Sequence, residues 1–155
     1  MSTKPPWSDW EYKRTRERIN IIVDSGASTC ILPKSIAKDH PVYPRTTDRT
    51  YTAATKEEVC PDGMRYLTVG VAVDGADYKS EWEVADVHRP LYAVSKLLKK
   101  RKRVIFDSEE DGGSWIFDKT DDRWMKLYEA DGVYVLPVLI KPNEESEGFH
   151  RRAKL

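Results

Sequence analysis

The sequence predicts an all-β domain with one short helix, and three observations lead to that prediction. Short apolar and β-branched runs recur along the chain, which is the pattern of short strands. Turn dipeptides such as Asp74-Gly75 and Asp131-Gly132 separate most of these runs. A single segment after Pro90 instead places apolar residues at helical spacing. With 155 residues, the chain has room for one domain with short tails.

The predicted elements follow one another within residues 19–140. Residues 19–23 form a nearly continuous β-branched run, typical of a strand buried on both faces, and this run ends at Asp24. Further strands are predicted at residues 65–73, 78–87, 104–107, 114–118, 123–128 and 133–140. The helix is predicted to start at Pro90, which suits a first helical turn. Its apolar face is expected to contain Leu91, Val94, Leu97 and Leu98.

The two ends of the chain differ in character from the predicted domain. Residues 1–18 combine prolines and tryptophans with a basic run, so they are interpreted as an N-terminal arm or linker. Residues 141–155 are charged and have no apolar period, so they are interpreted as a frayed C-terminal tail. The folded domain is therefore expected to span residues 19–140.

Composition and charge exclude several classes of protein. The 26 basic residues balance the 26 acidic ones, so net charge indicates no partner and makes nucleic acid an unlikely one. Two cysteines are too few for a disulfide scaffold, and no cysteine or histidine pair has zinc-site spacing, so no metal or cofactor is expected. The longest apolar stretch, residues 133–140, is too short to span a membrane. A cytoplasmic protein without membrane contact is expected.

The basic run and the aromatic residues have structural interpretations. Residues 99–103 are all basic, and cations are favoured at a helix C-terminus by the helix dipole. Nucleic-acid binding by this run is the alternative, and it predicts an affinity that falls steeply with salt. Five aromatic residues are interpreted as sheet packing rather than as base-stacking platforms: Trp82, Trp115, Trp124, Tyr128 and Tyr134.

The segment that indicates chemistry is the end of the first strand. Asp24 directly follows three apolar residues, where a carboxylate is costly to remove from water. Ser25 can hydrogen-bond to nearby backbone groups, and Gly26 permits a close backbone approach, so this triplet can hold the carboxylate in one orientation. Ala27 leaves room for a second backbone or for a substrate, and Ser28 follows it.

This segment resembles a known active-site loop. Residues 23–28, Val-Asp-Ser-Gly-Ala-Ser, look like the active-site loop of retropepsin-like aspartic proteases, particularly those of copia-type retrotransposon polyproteins. Residues 84–87, 90–97, 103–107 and 132–136 resemble the region that follows the flap in such polyproteins. The resemblance covers most of residues 19–138. It implies a retropepsin-like closed barrel with one short helix and an extra C-terminal antiparallel meander from about residue 104 to 140.

The resemblance also implies an aspartic endopeptidase that cleaves a retroelement polyprotein, with Asp24, Ser25 and Gly26 as catalytic residues. Hydrolysis by this route requires two aspartates that share a proton, because like charges a few ångströms apart cannot both ionise cheaply. The chain has one suitable triplet, so the second aspartate is expected from Asp24 of an identical chain. A two-fold homodimer with inert monomers is therefore expected.

A flap that closes over the substrate is a further implication of the resemblance. By order along the chain it is expected between Tyr51 and Val71, with its tip near residues 52–55 or at Asp62-Gly63. The residues expected to bind substrate are Ala27, Ser28, Ala53, Ala54 and Thr55.

A second interpretation stays open beside the protease. No glycine lies between residues 41 and 61, although retropepsin flaps usually carry glycines at the tip. This departure favours a catalytically silent, retroelement-derived domain that binds a peptide or a protein. The oligomeric state discriminates between the two, since a strict monomer cannot assemble the aspartate pair.

Overall fold

The computed structural model describes residues 17–44, 51–52, 58–59, 62–71 and 77–143. Within these residues the chain forms twelve strands and one α-helix, α1 (Val94–Lys99), together with a short 3-10 turn. The strands are β1 (Glu17–Asp24), β2 (Ile31–Pro33), β3 (Tyr51–Thr52), β4 (Glu58–Val59), β5 (Gly63–Val71), β6 (Asp77–Ala85), β7 (Leu91–Ala93), β8 (Lys102–Ile105), β9 (Trp115–Asp118), β10 (Arg123–Lys126), β11 (Tyr128–Ala130) and β12 (Val133–Ile140). The all-β prediction with one short helix is confirmed. Most of the predicted arm and tail lies outside the described residues.

Six strands close into a barrel in the order β1, β7, β2, β6, β5 and β12. Closure occurs where β12 pairs antiparallel with β1, from Glu17 opposite Ile140 to Ile22 opposite Val135. The other edge of β12 pairs with β5, and β11 extends the sheet as a hairpin on β12. The interior is filled by apolar side chains, among which Trp82, Leu67 and Ile21 are fully buried.

The C-terminal region divides between two sheets. Strands β8, β9 and β10 form a separate three-stranded antiparallel sheet, which corresponds to the first part of the predicted meander. The expectation that the meander continues to residue 140 is wrong, because β12 is a barrel strand. The last six residues of β12 are all buried. A strand buried in this way has hydrogen-bonded strands on both edges and packed side chains on both faces. The strand predicted at residues 123–128 is likewise split into β10 and β11.

The helix begins later than predicted. Leu91 and Tyr92 lie in β7, which runs parallel to β1, and the helix starts only at Val94. Leu91 and Tyr92 are extended because their backbone pairs with β1. Next to this pairing, the Ile22 N–H donates to the Pro90 carbonyl at 3.0 Å. Only Leu97 of the helix is buried, while Leu98 is 56% exposed. Among the described residues, no helix is long and apolar enough to cross a membrane.

Two aspartate–glycine dipeptides behave differently. At Asp131-Gly132 both residues have positive φ, 52° and 82°, in the two-residue turn that joins β11 to β12, as predicted. The prediction of a turn at Asp62-Gly63 is wrong, because Gly63 starts β5. A Cβ on Gly63 would lie 2.5 Å from the Tyr43 carbonyl oxygen, so this glycine allows a close backbone approach and does not form a flap tip.

Arg65 of β5 ties the loop after β2 to the barrel. Its Nε donates to the carbonyl of His40 at 3.1 Å, and its Nη1 donates to the carbonyls of Lys34 and Ile36 at 3.1 and 2.9 Å. The side chain is buried, and burial lowers the pKa of its guanidinium. Carbonyl dipoles thus take the place of water around a buried cation.

We expect Arg65→Lys to lower the free energy of unfolding by about 2 kcal/mol, because an ammonium cannot reproduce the guanidinium's planar set of donors. Urea denaturation measures this change. Arg103→Lys is the matched control on an exposed strand position and should change stability by no more than about 0.5 kcal/mol. Equal effects of the two substitutions would contradict the role given to Arg65.

Candidate active site

The loop that carries Asp24 lies at one end of the barrel. Asp24 is the last residue of β1, and β2 begins after the loop. Strand β7 runs between these two strands: it pairs parallel with β1 and meets β2 where Ile31 lies opposite Leu91. The backbone of Asp24 is fixed opposite Ala93 of β7. The sheet therefore holds the start of the loop while the loop itself reaches the surface.

The carboxylate of Asp24 is oriented by its own loop. The Gly26 N–H donates to Asp24 Oδ1 at 2.7 Å. Asp24 is half-buried, whereas Ser25 and Gly26 are exposed. A Cβ on Gly26 would lie 3.3 Å from Asp24 Oδ1, so a side chain at that position would press on the carboxylate. The expectation that the triplet holds the carboxylate in one orientation is confirmed by this hydrogen bond from the Gly26 amide.

Asp24 opens onto a cleft of about 420 Å³. The carboxylate and Ser25 form its polar part. The remaining lining is mostly apolar and comprises Ile22, Val23, Leu91, Phe106, Gly132, Val133 and Tyr134. The rings of Phe106 and Tyr134 pack with centroids 5.2 Å apart, and Phe106 is 43% exposed. Among the described residues of the lining, Asp24 is the only carboxylate.

The apolar wall was not predicted as part of the site. Phe106 follows β8, and Val133 and Tyr134 start β12, so their approach to Asp24 depends on barrel closure. Both segments were linked to function only through the expected resemblance to copia-type polyproteins. That resemblance gave no position relative to Asp24.

The predicted substrate-binding residues lie in different places. Ala27 is half-buried against the core cluster, and Ser28 is exposed. Neither belongs to the described lining of the cleft. Residues 53–55, the other three predicted substrate contacts, lie outside the described residues. A substrate contact by any of these five residues stays a prediction.

A small hairpin-like pairing occurs where the flap is expected. Strands β3 and β4 pair antiparallel, with Tyr51 opposite Val59 and Thr52 opposite Glu58. The backbone between them, residues 53–57, lies outside the described residues. An antiparallel pair in this region is compatible with the predicted flap, and closure over a substrate stays a prediction.

Among the described residues, no group of three or more His, Cys, Asp or Glu side chains is placed to hold a metal ion. Cys30 is a free cysteine buried at the end of the loop. Burial raises the pKa of its thiol, which makes the reactive thiolate scarcer. Cys30 belongs to the buried core of the barrel, and Cys60 lies outside the described residues.

Comparison with known proteins gives no family for this chain. No protein-family model matches it, and neither the curated proteins nor the solved structures contain a match. The functional argument therefore depends on the Asp24 loop, the cleft beside it and the barrel that positions both.

Proposed function

We propose that the protein is an aspartic endopeptidase of retroelement type, in which two identical chains each contribute Asp24. The observation that supports this most is a carboxylate that is oriented by the Gly26 N–H and lines an open, largely apolar cleft. The cleft's described lining contains no second carboxylate, and the reaction needs one. The exposed loop of an identical chain is the source that the sequence offers.

In the proposed reaction, one Asp24 carboxylate takes a proton from a water molecule as the water oxygen bonds to the scissile carbonyl carbon. The other Asp24 is protonated and gives its proton to the carbonyl oxygen. The carbon–nitrogen bond then breaks while the first aspartic acid protonates the leaving nitrogen. The second carboxylate recovers a proton from the collapsing intermediate, so the pair returns to its starting state without a covalent intermediate.

The proposed substrate is an extended segment of a retroelement polyprotein. Successive side chains of an extended strand point to opposite sides, so alternate residues can enter a cleft beside the carboxylates. Leu91, Phe106 and Tyr134 offer an apolar contact for such a side chain. The carboxylate of Asp24 lies at the same cleft, where the bound water would attack.

The test is the activity of mixed dimers. Equal amounts of wild-type and Asp24→Asn chains are unfolded together, refolded and assayed with a peptide library at mildly acidic pH. If each active site needs two Asp24 side chains, about a quarter of the dimers are competent, so activity per total chain falls to about a quarter of that of wild type. A chain that works alone would retain half.

Mixing with Asp107→Asn is the matched control. Asp107 also precedes a serine, and its Oδ1 accepts a backbone N–H from Ser108 at 2.8 Å, but it lies outside the cleft's described lining. That mixture should retain full activity. Half-activity in the Asp24→Asn mixture would reject the shared site, and absence of cleavage by wild type would reject the protease.

A catalytically silent peptide-binding domain is the second candidate, favoured by the absence of glycine between residues 41 and 61. This candidate uses the same apolar cleft but needs no aspartate pair. It predicts that peptides bind without being cleaved and that sedimentation gives a monomer. Cleavage that depends on Asp24 would exclude it.

A further inference from the structure

One face of the small β8–β9–β10 sheet carries aromatic and cationic side chains. In the strand register, Arg103 lies opposite Phe117, and Phe117 lies opposite Trp124. Trp115 and Lys126 are opposite each other two positions along the same strands, so they share this face. These five residues, Arg103, Trp115, Phe117, Trp124 and Lys126, are named the aromatic face.

The rings of the aromatic face are held by one another. Trp124 packs on Phe117 with centroids 4.5 Å apart and an interplanar angle of 32°, and it meets Trp115 edge-on at 6.0 Å. Arg103 lies 6.0 Å from the centroid of Phe117, and Lys126 Nζ lies 4.9 Å from that of Trp115. Trp124 is nevertheless 49% exposed. Packing within the sheet, as expected from the sequence, thus occupies part of the Trp124 ring, and the rest is open to solvent.

The aromatic face is the outer face of its sheet. The alternate residues of the same strands point the other way, and Ile116 and Met125 are buried in the core cluster of the barrel. The sheet is thus anchored through its inner face, and packing does not require large aromatic rings on the outer one. Trp124 is exposed and the adjoining Trp115 and Phe117 are half-buried, so the three rings form one contiguous apolar patch, and such patches mark interaction sites more often than single exposed side chains do.

Charge indicates which partner suits this face. The basic run of residues 99–103 extends into the edge strand β8. Its exposed members are Lys99, Lys100, Arg101 and Arg103. Lys102 points inward, with its Nζ 4.0 Å from Asp118 Oδ2 and 5.3 Å from the ring centroid of Tyr78. Lys126 and Glu109 form an ion pair at 2.8 Å, so this lysine adds little net charge. Lys100 and Lys102 line a cavity on the inner side of the sheet with Ile116 and Met125. Arg103 is therefore the exposed cation that β8 adds to the aromatic face, and Arg101 lies directly before this strand.

We propose that the aromatic face binds single-stranded nucleic acid. An unpaired base stacks on the exposed side of Trp124, whose other side is supported by Phe117, and the phosphates lie along the edge formed by Arg101 and Arg103. Stacking on aromatic rings tolerates any base, and a neighbouring basic edge follows the backbone. The neutral net charge of the chain does not oppose this, because exposed charges beyond about 10 Å are largely screened at 0.1 M salt.

Fluorescence anisotropy of a labelled oligothymidylate of about fifteen nucleotides tests the proposal. We expect Trp124→Ala to weaken binding by roughly tenfold or more, because one stacking platform is lost. Arg103→Gln should make the logarithmic salt dependence shallower by about 0.7, the value for one phosphate contact with a single strand. Asp122→Asn should tighten binding, since it removes an exposed negative charge while asparagine tolerates the left-handed φ of 55°.

Two matched controls should leave binding unchanged. Phe106→Ala removes an exposed ring that packs on Tyr134 outside the aromatic face, and Lys38→Gln removes an exposed cation outside this sheet. A far-ultraviolet spectrum like that of wild type establishes that each variant is folded. The proposal is overturned if no binding occurs at low salt, if a duplex of equal length binds as tightly, or if folded Trp124→Ala binds like wild type. None of these readouts depends on peptide cleavage.

Discussion

Replacing Asp24 by asparagine is expected to lower peptide hydrolysis by at least about a thousandfold, equivalent to about 4 kcal/mol of transition-state stabilisation. An amide can neither take a proton from the attacking water nor give one to the carbonyl oxygen, so the shared site of the dimer loses both its base and its acid. Asparagine keeps the side-chain oxygen that accepts the Gly26 N–H at 2.7 Å, so the loop should retain its conformation. Initial rates on a cleaved library peptide, with thermal unfolding measured alongside, give the comparison.

Asp107→Asn is the control, since it removes an exposed carboxylate with a similar local hydrogen bond. It should leave both the rate and the unfolding temperature unchanged. If the Asp24→Asn protein cleaves within about tenfold of wild type, the aspartate mechanism is wrong, because a base that contributes so little is not essential.

Trp82→Ala is expected to lower the free energy of unfolding by about 3–5 kcal/mol. The indole is fully buried, and its ring packs on Tyr92 with centroids 4.7 Å apart. Its Nε1 donates to Ser80 Oγ at 2.7 Å, and that hydroxyl donates to the Leu67 carbonyl at 3.2 Å. The substitution thus leaves a cavity and removes a donor from a buried chain of hydrogen bonds.

Trp124→Ala provides the matched comparison, because the same atoms are removed from a half-exposed site. Its effect should be about 1 kcal/mol or less, since only part of the ring is withdrawn from water. Urea denaturation of both variants gives the two values. Similar losses would mean that the barrel interior around Trp82 is not the main source of stability.

The predictable part of the fold was the part encoded locally. The apolar runs of β1 and β12 identify both strands, and the positive-φ turn at Asp131-Gly132 needs no distant partner. The strand β7 was mistaken for the start of a helix because Leu91 becomes extended through pairing with β1. The role of β12 in closing the barrel depends on contacts with residues more than a hundred positions away.

The candidate site divides in the same way. Asp24 and Gly26 stand out because an apolar strand followed by a carboxylate and a glycine is a local pattern. Phe106 and Tyr134 could not be recognised as site residues from the sequence, because each one looks like an ordinary aromatic residue of a strand region. Only the tertiary structure brings them to the cleft. Trp82 and Trp124 also look alike in the sequence, and only the tertiary structure distinguishes the buried ring from the exposed one.

The pairing of Glu17 with Ile140 has a consequence for how this domain joins other polypeptide segments. Opposite Cα atoms in antiparallel strands are only about 5 Å apart, so the chain enters and leaves the barrel at adjacent points. Such a unit can be inserted into the loop of a host protein without forcing that loop apart. The same proximity allows a short bridge to join the two ends and new termini to be opened elsewhere in the barrel.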